Sequence, residues 1–261
     1  MPEALVAGAR LHYDITGRGD PLVLTAGQGT GGEARAELVE GLARRYTVLT
    51  YDPRGTGRSE RVTEGQPIEA LADDVRALMD VAGFDRARVI GVSTGTGKAT
   101  ALAAMHPDRV SRLVLAAPWT HGDGHLTRMQ GLRKAAARSL PPDHYAHLNA
   151  TLLYPPDYLR RHRARLDEVA RAAIAAPPDP VRIAARLDAI LAFDARRHYP
   201  RIACPTLVVG ARDDLIMPHW FAADAAAAIG GARLVLLDHG GHLFVESRTA
   251  DFLALALDFL D

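Results

Sequence analysis

Arg88-Val89-Ile90-Gly91-Val92-Ser93-Thr94-Gly95-Thr96-Gly97-Lys98 passes from an apolar run into a helical pattern, with a serine at the junction. The pattern predicts a buried strand over 88–92 and a helix over 96–106. Between them, Gly91-Val92-Ser93-Thr94-Gly95 fits G-x-S-x-G, a sharp strand-to-helix turn that lifts a serine hydroxyl above a sheet. Such a turn tolerates only small neighbours, because larger side chains collide with the adjacent turn and helix. Gly91 and Gly95 meet that need. Ser93 would then stand at the carboxyl end of its strand, near the positive N-terminus of the next helix.

Working outward, short apolar runs at 21–26, 46–51, 110–117, 205–209 and 232–237 also read as strands. Their unbroken apolar character suits strands covered on both faces, as in a parallel sheet. Helical patterns at 33–45, 68–81, 220–229 and 249–260 alternate with them. This rhythm predicts an α/β fold, a mostly parallel, doubly wound sheet with right-handed crossovers. The first twenty residues alternate and turn at Gly17-Arg18-Gly19-Asp20, which predicts an edge hairpin. Residues 119–200 break the rhythm, with no strand pattern and with proline at 141–142, 155–156 and 177–180. They predict an all-helical cap insertion, leaving 1–118 and 201–261 as the core. The insertion holds 13 Lys and Arg against 8 Asp and Glu, so it is net basic. Either these are solvated helix faces, or some arginines face a pocket and favour an anionic small-molecule substrate.

A serine hydroxyl is a poor nucleophile until a base takes its proton. His242, in Asp238-His239-Gly240-Gly241-His242 just past the last strand, is the best placed of the 11 histidines. His239 lies nearer the strand end and reads as structural. The imidazole needs a carboxylate to hold its tautomer, and Asp213 or Asp214, after the strand at 205–209, could serve. The chain order of serine, acid and histidine differs from that of the chymotrypsin and subtilisin types. An oxyanion hole would draw one backbone N–H from Thr94 and another from Gln28, in Ala26-Gly27-Gln28-Gly29-Thr30.

Tyr51-Asp52-Pro53-Arg54-Gly55-Thr56-Gly57-Arg58-Ser59 resembles the D-x-R-G-x-G-x-S loop of the α/β-hydrolases. The serine turn, the Pro205-Thr206-Leu207-Val208-Val209 strand before the paired aspartates, and Gly240-Gly241-His242 are similarly placed in that superfamily. The resemblance spans roughly residues 10–118 and 200–261. It implies the α/β-hydrolase fold and a Ser93, Asp214, His242 triad. Asp214 has the family's spacings to Pro218 and from Pro205, and Asp213 has neither. The implied activity is hydrolysis of a small-molecule ester, lactone, thioester or amide-type acyl bond through an acyl-enzyme. Leu153-Tyr154-Pro155-Pro156-Asp157-Tyr158, Arg186-Leu187-Asp188-Ala189-Ile190, Asp194 and Ile202-Ala203-Cys204-Pro205 are similar to the aminoacrylate or carbamate hydrolases of pyrimidine degradation. Two positions depart from the superfamily: Ala26 stands where histidine is frequent, and Thr96 where glycine is frequent. Neither removes a backbone donor.

Rival functions are weaker. Gly27-Gln28-Gly29-Thr30-Gly31-Gly32 fits G-x-G-x-x-G with Asp52 beyond it, as in dinucleotide-binding oxidoreductases, but that leaves the serine turn and Gly-Gly-His unexplained. A ligand sensor on a hydrolase scaffold is the other alternative. No cofactor is expected, and no histidine spacing suggests a metal. The 31 basic and 31 acidic residues balance, so neither nucleic acid nor a membrane surface is an expected partner. The opening Met1-Pro2-Glu3-Ala4 lacks the segments of a signal peptide, and Cys204 is the single cysteine, so a cytoplasmic setting is expected.

Overall fold

A computed structural model describes residues 2–27, 36–62 and 66–261. Its strands are β1 (Glu3–Val6), β2 (Ala9–Thr16), β3 (Asp20–Thr25), β4 (Tyr46–Tyr51), β5 (Ala87–Val92), β6 (Val110–Ala116), β7 (Thr206–Ala211) and β8 (Arg233–Leu237). They form one eight-stranded sheet in the order β1-β2-β4-β3-β5-β6-β7-β8. The pairs β1–β2 and β2–β4 are antiparallel, and every other pair is parallel. The predicted mostly parallel sheet is therefore present, with strand boundaries displaced by a residue or two.

The expected hairpin is also present, but its turn lies elsewhere. Ala7 and Gly8 join β1 to β2 with φ of 42° and 82°. Positive φ at both residues of a two-residue loop suits the twist of the flanking strands. The turn at residues 17–20 instead leads from β2 to β3, which are not neighbours, because β4 lies between them. The glycine-rich signal was real, and the pairing assigned to it was wrong.

Alternate residues along each strand enter opposite cores, which explains the unbroken apolar runs. In β3, Val23 packs with Leu49, Val89 and Leu113, whereas Leu22 and Leu24 pack with Val48, Ile90 and Val114. The second face is closed by α1 (Ala36–Ala43), α10 (Phe244–Ser247) and α11 (Thr249–Leu260). The first face is closed by α2 (Ile68–Val81), α3 (Thr94–Met105) and α9 (His219–Ala228).

Between β6 and β7 lie α4 (Gly124–Ser139), α5 (Pro142–Leu153), α6 (Pro156–Arg161), α7 (Arg163–Ala175) and α8 (Pro180–Ala192), with no strand. The prolines that interrupt the sequence pattern start helices. Pro142, Pro156 and Pro180 each occupy a first helical position, where a missing N–H costs nothing. Asp123 and Asp179 cap α4 and α8 by accepting from the N–H groups of Leu126 and Val181. Trp119 Nε1 donates to the carbonyl of Ile190 at 3.1 Å, tying the start of this segment to α8.

The chain leaves β3 toward β4 on one side, while β5 lies on the other. The order of connection therefore reverses between β3 and β5, the kind of switch point at whose carboxyl ends α/β sheets place their sites. Among the described residues, no helix is long and apolar enough to cross a membrane.

Candidate active site

Ser93 sits between β5 and α3 with φ 54° and ψ −125°, a left-handed conformation that costs a non-glycine residue energy. The surroundings hold it there. Its N–H donates to the carbonyl of Ala116 at 2.9 Å, and its own carbonyl accepts from Thr96 Oγ1 at 2.6 Å. A Cβ on Gly95 would lie 2.0 Å from the carbonyl oxygen of Thr25, and one on Gly91 would lie 2.7 Å from that of Gly95. Both glycines are thus required by closeness of backbone to backbone.

His242 approaches from the loop after β8. Ser93 Oγ lies 2.7 Å from His242 Nε2, and His242 Nδ1 lies 2.8 Å from Asp214 Oδ2. All three are buried, at 9%, 2% and 3% exposure. Asp214 Oδ1 accepts from the N–H groups of Ile216 and Met217 at 2.8 Å each. With the carboxylate accepting at Nδ1, the imidazole carries its proton there, and Nε2 is left to accept from the serine. The two candidate acids and the two candidate histidines divide cleanly. Asp213 does not reach His242; it accepts from the N–H groups of Gly240 and Gly241 at 3.1 and 2.9 Å. His239 is exposed and hydrogen-bonded to Arg248. Gly241, at φ 68°, brings the loop so close to the carbonyl of Leu153 that a Cβ would lie 2.9 Å from it.

A profile of the alpha/beta hydrolase fold matches residues 20–249. The chain belongs to the α/β-hydrolase family. It is 34% identical over 259 residues to a protein of Azorhizobium caulinodans that carries the name carbamate hydrolase RutD, covering 99% of this chain and 98% of that one. A protein of the same name from a Caulobacter species is 35% identical over 240 residues, covering 92% and 90%. Among solved structures, the enol-lactonase of Burkholderia xenovorans LB400 superposes with a TM-score of 0.87 at 32% identity, covering 99% of both chains. The resemblance to carbamate hydrolases read from short motifs therefore extends over the whole length.

In this α/β-hydrolase the N–H of Thr94 opens α3, where first-turn donors have no intrahelical partner. Gln28 lies outside the described residues. Gly27 is described, and an ideal Cβ on it would be 3.1 Å from Ser93 Cβ, so the loop after β3 passes directly beside the serine. One anchor of that loop escaped the sequence reading. Lys98, buried at 2% exposure, donates to the carbonyl of Ala26 at 3.0 Å and sits over the Tyr51 ring. A buried lysine one turn past the serine was the missed clue.

The Asp52 loop holds itself together. Asp52 Oδ2 accepts from Arg58 N at 2.9 Å and Arg58 Nε at 3.2 Å, while Arg54 forms a bidentate pair with Asp74 at 2.5 and 2.6 Å. The carboxylate that a dinucleotide would need for its ribose is spent inside the loop.

Ser93, Thr94 and His242 open into a cavity of about 80 Å³ lined also by Gln130, Arg133, Leu187, Ile190, Ile216 and Met217. Most basic residues of 119–200 do not reach it. Lys134, Arg161, Arg163, Arg165, Arg182, Arg196 and Arg197 pair with carboxylates, and Arg138, Arg160 and Arg171 are exposed. Arg133 is the exception among these, and burial drives its guanidinium below the usual pKa.

Proposed function

We propose that this chain is a serine hydrolase that cleaves a small-molecule ester, lactone, thioester or amide-type bond through an acyl-enzyme. The observation that carries the reading is the buried line Ser93 Oγ, His242 Nε2, His242 Nδ1, Asp214 Oδ2, with separations of 2.7 and 2.8 Å. Ser93 Oγ attacks the acyl carbon as its proton passes to His242 Nε2. Asp214 stabilises the imidazolium that forms. The N–H groups of Thr94 and Gln28 hold the oxyanion, and each such donor lowers the barrier by roughly 3 kcal/mol. His242 then gives the proton to the leaving group, and the acyl-enzyme is resolved by water through the same base.

Residues 119–200 act as a cap over the core of 1–118 and 201–261, with Gln130 on α4 and Leu187 and Ile190 on α8 contributing the cavity roof. The names of the relatives make carbamates and enol-lactones the first substrates to try. The cytoplasmic setting in this reading rests on Cys204 being the single cysteine, which leaves it no partner for an internal disulfide.

A fluorophosphonate probe should add one adduct at Ser93, seen by mass spectrometry, and Ser93→Ala should abolish it. Turnover should fall by on the order of a millionfold. A variant that keeps most of its turnover would overturn this mechanism.

A further inference from the structure

Gln130 is 0% exposed, and its Nε2 has no hydrogen-bond partner. It lines the cavity shared by Ser93 and His242. The direction of its amide follows from its neighbours. Arg133 Nη1 donates to Gln130 Oε1 at 3.1 Å, while Arg133 Nε and Nη2 donate to Asn149 Oδ1 at 3.2 and 3.0 Å. Asn149 Nδ2 in turn donates to the carbonyl of Tyr145 at 2.9 Å. A guanidinium has only donors, so both amide oxygens must face it. The end of Gln130 left over is its NH₂ group, a pair of donors at the cavity.

A buried donor without a partner costs more than a made hydrogen bond returns, so such a group points to a ligand acceptor. Thr94 Oγ1, on the same cavity, is likewise buried without a partner. The charge behind Gln130 narrows the class of acceptor. Arg133 bonds to two neutral amides and, among the described residues, to no carboxylate. A neutral carbonyl would satisfy the amide and leave that positive charge uncompensated, whereas a carboxylate answers both.

We propose that Gln130 is a specificity-determining residue whose Nε2 receives a carboxylate on the acyl portion of the substrate, remote from the bond attacked, with Arg133 and Asn149 positioning it. This rests on Ser93 being the nucleophile, and the experiment separates the two. It compares kcat/KM for 4-nitrophenyl hydrogen glutarate and its neutral isostere, 4-nitrophenyl 5-methylhexanoate, while fluorophosphonate labelling counts functional Ser93. The wild type should favour the glutarate ester by about tenfold or more, the scale of a hydrogen bond to a charged group. Gln130→Met and Gln130→Glu should each lower that ratio by about tenfold or more, chiefly through KM of the anionic ester. Arg133→Met should lower the same ratio, which a merely structural role would leave unmoved. Independently of any variant, free glutarate should inhibit wild-type hydrolysis of the neutral ester at least several-fold more tightly than the uncharged 5-methylhexanamide does. A labelled, active wild type with a ratio near or below one overturns the proposal alone. So does an unchanged ratio in both Gln130 variants, or equal inhibition by glutarate and the uncharged amide. A wild type that neither labels at Ser93 nor turns over removes the underlying reading, and this proposal with it.

Discussion

Asp214 accepts two backbone N–H groups on one oxygen and His242 on the other, whereas Asp213 accepts only the two N–H groups of the Gly240-Gly241 turn. The side chains are identical and adjacent, so their difference is one of direction set by the turn after β7. Replacing Asp214 by Asn removes the charge that favours the imidazolium and presents an amide NH₂ to Nδ1, so turnover should fall by on the order of ten-thousandfold. Asp213→Asn retains one oxygen acceptor but loses the second, loosening the loop that carries His242. A loss of about tenfold is expected there, the scale of one charge-assisted hydrogen bond. Steady-state kinetics on both variants, with circular dichroism to verify folding, would test the division. Equal losses would show that the two acids are not separated in role.

At the scale of elements, α3 is unusual because its residues from Thr94 to Ala104 are buried on every side. A helix with no solvent face cannot show an amphipathic stripe, and small residues let β3, α2 and the helices after β6 approach it closely. Gly95 is where the approach is tightest, and the obstacle is the backbone of Thr25, which cannot swing aside. Gly95→Ala should therefore destabilise the fold by about 1–3 kcal/mol or more. For a chain of this size that corresponds to a drop in Tm of roughly 2–4 °C per kcal/mol. Activity should suffer more than stability, since the same shift moves Ser93 relative to the loop at Gly27. Thermal unfolding within a degree of the wild type would contradict this account of the turn.

The whole molecule carries 31 basic and 31 acidic residues, and the basic excess of 119–200 is largely paired or solvated at the surface. Such charges are screened and contribute little field inside the cavity. Long-range steering should accordingly be weak. Raising salt from about 20 mM to 500 mM, which shortens the Debye length from roughly 20 Å to 4 Å, should change kcat/KM for an anionic ester by less than about threefold. Discrimination between anionic and neutral esters would then come from direct contact near Arg133. A steep loss with salt would restore the view that the helical segment guides anions by its overall charge.

By itself the sequence determined the α/β rhythm, the helical segment between β6 and β7, and the placing of a serine, an acid and a histidine at strand ends. These rest on local periodicity and on glycine at sterically tight turns, both of which are written into neighbouring residues. It did not determine the pairing of the first hairpin. The turn at 17–20 carries the stronger glycine signal, yet β4 inserts between the strands it joins, and strand order is settled by long-range packing. Nor could it show that Asp213 clamps the histidine loop, that Lys98 anchors the carbonyl of Ala26, or that Arg133 turns inward onto Gln130 and Asn149. Each of those depends on where a side chain meets backbone distant in the chain. Only the folded sheet and the helices packed over it bring those groups within hydrogen-bond distance.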